Sequence, residues 1–348
     1  MNKTILLASL ILIAFDAMIP SFAYNEIDLA KFKALNACEG CDLNEANLSG
    51  AYLHGANLYG ADLSGVNFSG ATLSIANLSG VDLSGAILED AKIRYANLSD
   101  AILEDAYLKG ADLSGADLSG ATLEGAKLVG VDLRLTNLED ASLVGADIRG
   151  ADFRGANLSG ANLSSANLNS AKLSDTNLSD VNLSGADLRG ADLHGVDLRT
   201  TNLYEAYLRD ANLSGVDLRS TNFSKANLSG VNLRLANLEG ANFSEANLSG
   251  ANLSGIDLRE TNLYEAHLRG ANLSGVDLRV TNFSNLNLSG VNFSGANLRQ
   301  ADLRETDLSD TNLRKADLRG ATLNGANLTG AQYCQTRMPS WEERNDDC

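Results

Sequence analysis

Two cysteines separated by two residues are the part of this sequence best suited to chemistry. Cys38 and Cys41 enclose Glu39 and Gly40. A pair at this spacing can exchange disulfides, supply half of a zinc site or attach haem. Thioredoxin-type exchange would need a βαβ context, which is missing here, and haem attachment would need a histidine where Asp42 stands. A structural disulfide is therefore the favoured interpretation, and a free or metal-bound pair is the alternative.

The other side chains with catalytic potential do not form a recognisable set. The chain has only 3 histidines, and His54, His194 and His267 are far apart in the sequence. Serine is common, but no serine has a histidine placed to activate it. Carboxylates are also common, but a catalytic pair needs a concave site that drives the two pKa values apart. We therefore expect no enzyme, no cofactor and no metal site.

Charged residues recur at multiples of 20 in the second half of the chain. The acids are Asp197, Asp217, Asp257, Asp277 and Asp317, and the bases are Arg199, Arg219, Arg259, Arg279, Arg299 and Arg319. If the backbone repeats its path every 20 residues, these side chains form adjacent columns on one face. The columns are expected to be structural, with arginines bridging carboxylates of successive coils at about 0–1 kcal/mol per exposed pair. The alternative is a partner-binding face, with Tyr204 and Tyr264 as aromatic contacts on the neighbouring side.

The element that must position these residues is a repeat of five. Every fifth residue from Leu43 to Leu328 is Leu, Ile or Phe, and this run covers residues 41–330, or 290/5 = 58 pentapeptides. A period of five fits neither an α-helix nor a long β-strand. In extended backbone the first and third residues of each unit face one way, and the second and fourth face the other. The fifth residue is usually Gly, which permits a sharp corner.

The recurrence at 20 residues indicates how many units make one turn of the chain. Twenty residues hold four pentapeptides, so we expect a coil with four sides. Stacked coils pair like neighbouring strands about 4.8 Å apart. The 58/4 or about 14.5 coils would then form a rod roughly 70 Å long.

The run A-[ND]-L-[SR]-G, repeated from residue 41 to 330, resembles the pentapeptide-repeat family. The resemblance implies a right-handed quadrilateral β-helix of about 14 coils. The flanks, with Cys38 and Cys41 before the array and Cys334 and Cys348 after it, also resemble exported members of that family. The activity best understood in the family, protection of DNA gyrase by imitation of duplex DNA, belongs to cytoplasmic members.

The two ends of the array are expected to be capped. Residues 24–40 form an N-terminal cap, in which Ile27, Leu29, Phe32 and Leu35 suit a short amphipathic helix that begins near Asn25. Residues 331–348 form a C-terminal cap. Because the two cysteine pairs would lie on the order of 70 Å apart, only one connectivity is possible in this rod. It joins Cys38 to Cys41 and Cys334 to Cys348.

Charge and the N-terminus bear on where the protein works. With 44 acidic and 27 basic residues, the net charge of −17 disfavours bare phosphate backbones and anionic lipids. Residues 1–23 read as a secretory signal, with Lys3, an apolar run too short to span a membrane, and small residues before a cleavage site at Ala23. We expect export to the periplasm, an equivalent lumen or the outside, without membrane insertion.

The sequence predicts a non-enzymatic exported β-helical rod that serves as a structural or protein-interaction module. Its partner is expected to be another protein rather than nucleic acid, and rods could also join end to end. The alternative is a DNA mimic that inhibits or protects a DNA-binding enzyme such as gyrase, if the protein is cytoplasmic. A polysaccharide-acting enzyme is disfavoured because the array has no long inserted loop and no clustered ligands.

Overall fold

The computed structural model describes residues 24–348. The predicted signal, residues 1–23, lies outside this part of the chain. Helix α1 spans Glu26–Leu35, and two short strands near the C-terminus, β1 at Thr336–Arg337 and β2 at Glu343–Arg344, pair antiparallel. Between them the chain forms the β-helix, held by single parallel bridges. No helix among residues 24–348 is long and apolar enough to cross a membrane.

The bridges fix the size of the coil. They join residues 20 apart from Ala37–Asn57 through to Asp317–Arg337 without a change of register. Four pentapeptides therefore make one coil, and the fold is the predicted right-handed quadrilateral β-helix. Because each coil supplies the backbone partners of the next, no coil is stable alone.

The pentapeptide dictates each side of the coil locally. In the unit Cys41 to Glu45 the second residue, Asp42, bridges Asp62 of the next coil, and the chain then turns so that the N–H of Ala46, which opens the next unit, donates to Leu43 O at 3.1 Å. The fifth residue has a positive φ, here +55° at Glu45, which is the region that glycine adopts without strain. An Asn or Asp at the second position pre-organises this turn, as when Asp62 Oδ1 accepts Ser64 N–H at 3.0 Å.

The predicted core is confirmed along almost the whole array. The third-position side chains are buried, and the first-position Ala, Val and Thr pack between them. Phe223 and Phe243, one coil apart, stack with ring centroids 5.0 Å apart. Each buried Leu contributes roughly 1.5–3 kcal/mol. The exceptions are Leu323 and Leu328 in the last coil, which are only partly buried because no further coil covers them.

Helix α1 packs on the first coil with only half of its predicted apolar residues. Asn25 caps the helix through Oδ1, which accepts Ile27 N–H at 3.0 Å. Phe32 is buried and Leu29 is partly buried, but Ile27 and Leu35 are 78% and 65% exposed. The prediction of a four-residue apolar face was therefore wrong. At 100° per residue, Ile27 points away from the side that Leu29 and Phe32 share.

The C-terminal tail closes two of the four sides of the last coil. Leu318 N–H donates to Arg337 O at 2.8 Å, and Asp347 N–H donates to Tyr333 O at 2.8 Å. The guanidinium of Arg344 lies 3.6 Å from the centre of the Tyr333 ring. These contacts hold the tail across the end of the core.

Replacement of a third-position leucine by a charged residue should unfold the middle of the rod. Leu228 is fully buried, and no partner for a carboxylate exists inside so narrow a core. Leu228→Asp should therefore lower stability by at least several kcal/mol, measured by thermal unfolding. The matched control is Ser229→Asp, one residue on and facing outward, which should melt close to wild type. Native-like melting of Leu228→Asp would contradict the core assignment.

Candidate functional site

The aspartates and arginines that recur at 20 residues form one outer face, which we call the Asp–Arg face. It comprises Asp197, Asp217, Asp257, Asp277 and Asp317 with Arg199, Arg219, Arg259, Arg279, Arg299 and Arg319. Each aspartate occupies the second position of its pentapeptide and each arginine occupies the fourth. The turn of the pentapeptide brings these two positions together on the outside.

The main ion pairs form within one pentapeptide, not between coils. Arg219 Nε and Nη2 donate to the two carboxylate oxygens of Asp217 at 3.0 and 2.8 Å, and Arg219 N–H donates to the same carboxylate at 3.2 Å. The expectation that arginines chiefly bridge successive coils was therefore wrong. The physical reason is that the aspartate already closes the turn by accepting the backbone N–H of the arginine, so the side chain meets it first.

Contacts between coils on this face are longer and fewer. Arg199 Nε lies 3.7 Å from Asp217 Oδ2, and Arg259 Nε lies 3.9 Å from Asp277 Oδ2. Arg299 follows Asn297 in place of an aspartate, and its guanidinium forms no ion pair with any described residue. Glu239 interrupts the arginine column in the unit where Asn237 replaces the aspartate. The face thus presents neutralised pairs, an uncompensated cation at Arg299 and an acid at Glu239.

The bidentate pairs lower the pKa of the aspartates. For Asp217 and Asp277 the side-chain hydrogen bond from the adjacent arginine is the largest cause, and the arginine charge adds to it. Partial burial opposes this shift but does not overcome it. The pKa values of the carboxylates on this face therefore lie below the ordinary value of aspartate.

The two tyrosines expected to flank this face differ in their surroundings. Tyr264 is 66% exposed, and its hydroxyl hydrogen-bonds Glu265, which raises the pKa of Tyr264. Tyr204 is half-buried, and Lys225 Nζ lies 5.7 Å from the centre of its ring. Only Tyr264 is therefore well placed to meet a partner.

A crevice beside Tyr264 was not foreseen from the sequence. The 20-residue register predicts bridges from Asn262 to Asn282 and from His267 to Asn287, and both are missing between these described residues. The coils separate there and leave a cavity of about 550 Å³. We call this cavity the inter-coil crevice. Its lining includes Leu258, Arg259, Thr261, Tyr264, Val280 and Leu286.

The crevice has a cause in the sequence. The four first-position residues of the coil above it are Val276, Thr281, Leu286 and Val291, and nowhere else in the array are four successive first positions all larger than Ala. A narrow core cannot take this volume, since overpacking forces backbone shifts. Leu286 is accordingly only partly buried. The absence of alanine from four successive first positions was the signal that sequence analysis missed.

The hydroxyl of Thr281 lacks a hydrogen bond to the neighbouring coil that other threonines make. Thr201 and Thr221 each donate to a carbonyl of the coil below, to Leu178 O at 2.9 Å and Leu198 O at 3.0 Å. Thr281 Oγ1 is buried without a hydrogen-bond partner among the described residues. The carbonyl that the register would offer it, Leu258 O, accepts the Thr261 hydroxyl at 2.6 Å instead.

The cysteines and histidines form no second site. Cys38 is bonded to Cys41 and Cys334 to Cys348, which is the pairing expected from the sequence. Asp28 lies beside the first pair, and these three residues are the one group in residues 24–348 with metal-ligand spacing. The disulfide consumes both thiolates. His54, His194 and His267 lie in different coils.

Comparison with known proteins points to one family. The family model described as pentapeptide repeats (8 copies) matches nine segments, most of them overlapping, that together cover residues 38–330. No curated protein matches the sequence.

Several solved structures are similar. One is HetL, a pentapeptide repeat protein involved in heterocyst differentiation regulation from the cyanobacterium Nostoc, with 28% identity over 92% of this chain and 99% of HetL and a TM-score of 0.17. Another is full-length QnrB1, a plasmid-mediated fluoroquinolone resistance protein, with 22% identity over 64% of this chain and 91% of QnrB1 and a TM-score of 0.21. A third, from the Arabidopsis thaliana thylakoid lumen, has 29% identity over 39% of this chain and 70% of its own, with a TM-score of 0.15. At these TM-scores the assignment depends on the repeat match over residues 38–330.

Removal of an arginine should return its aspartate to an ordinary pKa. In Arg219→Ser the Asp217 carboxylate loses its strongest hydrogen-bond donor, so its pKa should rise, as measured by carboxyl NMR titration. Asp277, which keeps Arg279, is the internal control. An unchanged pKa of Asp217 would contradict the pairing.

The same shifts predict how stability depends on pH. The pKa values of the paired aspartates are lower in the folded chain than the value of about 3.9 in the unfolded chain. Their contribution is therefore complete above about pH 4 and is lost as pH falls through the lowered values. Thermal unfolding between pH 6 and 2 should show this loss, and Arg219→Ser should show less of it.

Truncation of Leu286 should have an unusual effect on stability. A buried Leu→Ala change normally costs about 2–5 kcal/mol, and Leu288→Ala, at a fully buried position in the same coil, should cost that much. Leu286→Ala should instead leave the melting temperature unchanged or raise it, because it relieves the crowding and lets the coils close. Equal losses in the two variants would contradict overpacking as the cause of the crevice.

Proposed function

Because the chain belongs to the pentapeptide-repeat family, we propose that it is a non-enzymatic exported rod that binds a protein partner along its Asp–Arg face. The observation that carries this proposal is the column of arginines, interrupted at Glu239, in which Arg199, Arg219, Arg259, Arg279 and Arg319 are each fixed by their own aspartate. A surface with this regularity suits a partner with a similarly regular set of hydrogen-bond acceptors.

The geometry of the pairs supports recognition as well as stability. In each bidentate pair the arginine uses Nε and Nη2, and the Nη1 edge is left for another acceptor. The side chains of Arg199, Arg259 and Arg279 are about half exposed, at 49%, 49% and 47%. Because the guanidinium planes are already held, little side-chain entropy is lost when a partner binds. Carboxylates or backbone carbonyls spaced at about 4.8 Å would match the column.

Export is supported by two separate features of the chain. Residues 1–23 have the composition of a secretory signal, and all four cysteines are in disulfides. Disulfides persist mainly in oxidising compartments such as the periplasm. Fractionation of cells, with the N-terminus of the mature chain determined by mass spectrometry, tests this part of the proposal. A cytoplasmic protein that still begins at residue 1 would overturn it.

Imitation of DNA is the second candidate function, favoured by the net charge of −17. Such an acidic rod could compete for a DNA-binding enzyme such as gyrase. The Asp–Arg face weakens this candidate, since each of its aspartates is neutralised by an arginine. A cytoplasmic location together with inhibition of DNA supercoiling by the purified protein would favour it over the first candidate.

Photo-crosslinking in intact cells tests the proposed face. A photoreactive amino acid at Ser220, on the corner beside the Asp–Arg face, should give one specific adduct. The matched control is Ser170, the same residue type at the same fifth position, with φ of 59° against 60°. It lies 50 residues away, which is two and a half coils, and so occupies the opposite corner of the rod. Ser170 should give no such adduct.

The adduct should depend on the arginines. Combined replacement of Arg219, Arg259 and Arg279 by Ser should abolish it, while thermal stability changes little because exposed pairs contribute about 0–1 kcal/mol each. A purely structural column would instead shift melting and leave the adduct intact. That outcome, or equal adducts from Ser220 and Ser170, would contradict a binding role.

A further inference from the structure

We propose that the inter-coil crevice is a docking slot for a short extended segment of a partner protein, which adds as a strand to the exposed edge of a coil. This proposal rests on the proposed function, because it names a second contact that the same partner makes. It starts from the hydrogen bonds that are missing at the crevice, which lies next to the Asp–Arg face at Arg259.

Five of the missing hydrogen bonds lie on two adjacent sides of the coil. Leu263, Glu265 and Leu268 have no acceptor for their backbone N–H groups among the described residues, and neither do Asn282 and Asn287 on the opposite wall. Every equivalent bond is made one coil lower, as between Phe243 N–H and Asn262 O at 2.8 Å. Every equivalent bond is also made one coil higher, as between Phe283 N–H and Asp302 O at 2.8 Å. The Asp–Arg side between these two coils is open as well, since the backbone N–H groups of Leu258 and Asp277 have no acceptor among the described residues, and Leu238 and Asp257 show that this side also lacks such bonds one coil lower. On the two neighbouring sides the five missing bonds are all made in the adjoining coils, and both walls of the gap are open sheet edges.

Open edges of this kind call for a specific type of ligand. On the lower wall Thr261 O accepts no backbone hydrogen bond, so this side offers one acceptor and the N–H donors of Leu263 and Glu265. Donors and acceptors that alternate along an edge are matched by another extended backbone, which is how peptides add to sheet edges in known complexes. A compact small molecule would not reproduce this alternation over two sides.

The crevice also has an apolar receptor for a side chain. Leu286 and Tyr264 line it, and Val280 at its rim is 71% exposed. Val280 has a φ of +62°, a conformation that is strained for a β-branched residue. The turn imposes this φ on every fifth residue, so what Val280 adds to the crevice is an exposed apolar side chain at its rim.

Charge around the crevice decides which segment fits. Glu260 and Glu265 lie at its border, and Glu245 lies one coil below Glu265. Arg259, the cation in the lining of the crevice, is already bound to Asp257 at 2.5 Å, and Arg269 lies with Glu245 and Glu265 in the adjoining cavity. The border is thus acidic, and a segment that alternates apolar residues with Lys or Arg would place apolar side chains on Leu286 and cations on the glutamates.

The test selects peptides from a displayed random octapeptide library for binding to the full-length chain. The library is first depleted on Leu286→Ala, in which relief of crowding closes the slot, and then selected on wild type. We expect wild-type-specific peptides that alternate apolar and basic residues, and at least tenfold weaker binding by synthetic versions with alternate backbone nitrogens methylated. Leu286→Ala should also slow hydrogen exchange at Leu263, Leu268, Asn282 and Asn287.

Two outcomes would overturn the docking slot. One is that depletion on Leu286→Ala leaves no binder. The other is that methylation of the peptide backbone leaves affinity unchanged, because the occupant is then held by its side chains alone as a small apolar ligand would be. The proposed function fails separately, through loss of the Ser220 adduct or its insensitivity to the three arginine changes, neither of which depends on Leu286.

Discussion

The whole structure depends on apolar side chains spaced by five residues that must share one narrow core. Because the first and third residues of each unit point inward, the chain has to turn after every fifth residue, and four turns close the coil. Each coil then leaves its backbone groups to be paired by the next, with the register of 20 seen from Ala37–Asn57 to Asp317–Arg337. A single coil has neither a covered core nor partners for its backbone groups, so only the stacked coils are stable.

The surface follows from the same constraint. The turn needs a positive φ at its fifth residue, and it is reinforced when the second residue accepts the N–H of the fourth, as Asp217 does for Arg219 at 3.2 Å. An arginine at the fourth position therefore meets an aspartate that the turn has already fixed. The column of guanidinium groups is a consequence of how each corner is built, and this regularity is what makes the face suitable for recognition.

The limits of prediction from sequence also lie in particular residues. The repeat predicted the coil, its register and the buried third positions, because a period of five leaves no other side of the chain for Leu and Phe. The prediction that arginines pair with carboxylates of the neighbouring coil was wrong. The register alone does not show that Arg219 is nearer to Asp217, in its own pentapeptide, than to a carboxylate of the next coil. The predicted apolar face of helix α1 was only half right, because the helical spacing places Leu29 and Phe32 on one side and Ile27 on another. The crevice was missed because a pattern of apolar and polar residues says nothing about side-chain volume. Leu286 is apolar, as its inward position requires, but it is too large for that position.

The most direct test of the account is a set of distances between spin labels along one face. Ser84, Ser164 and Ser244 occupy the fourth position of their pentapeptides, 80 residues or four coils apart, and all three precede the inter-coil crevice. Labels introduced at Ser84→Cys, Ser164→Cys and Ser244→Cys and measured in pairs by pulsed electron paramagnetic resonance should lie about 19 Å apart for each neighbouring pair and about 38 Å apart for the outer pair. Distances that do not add in this way, or that depart from about 4.8 Å for every 20 residues, would contradict a stack of four-sided coils around a single apolar core.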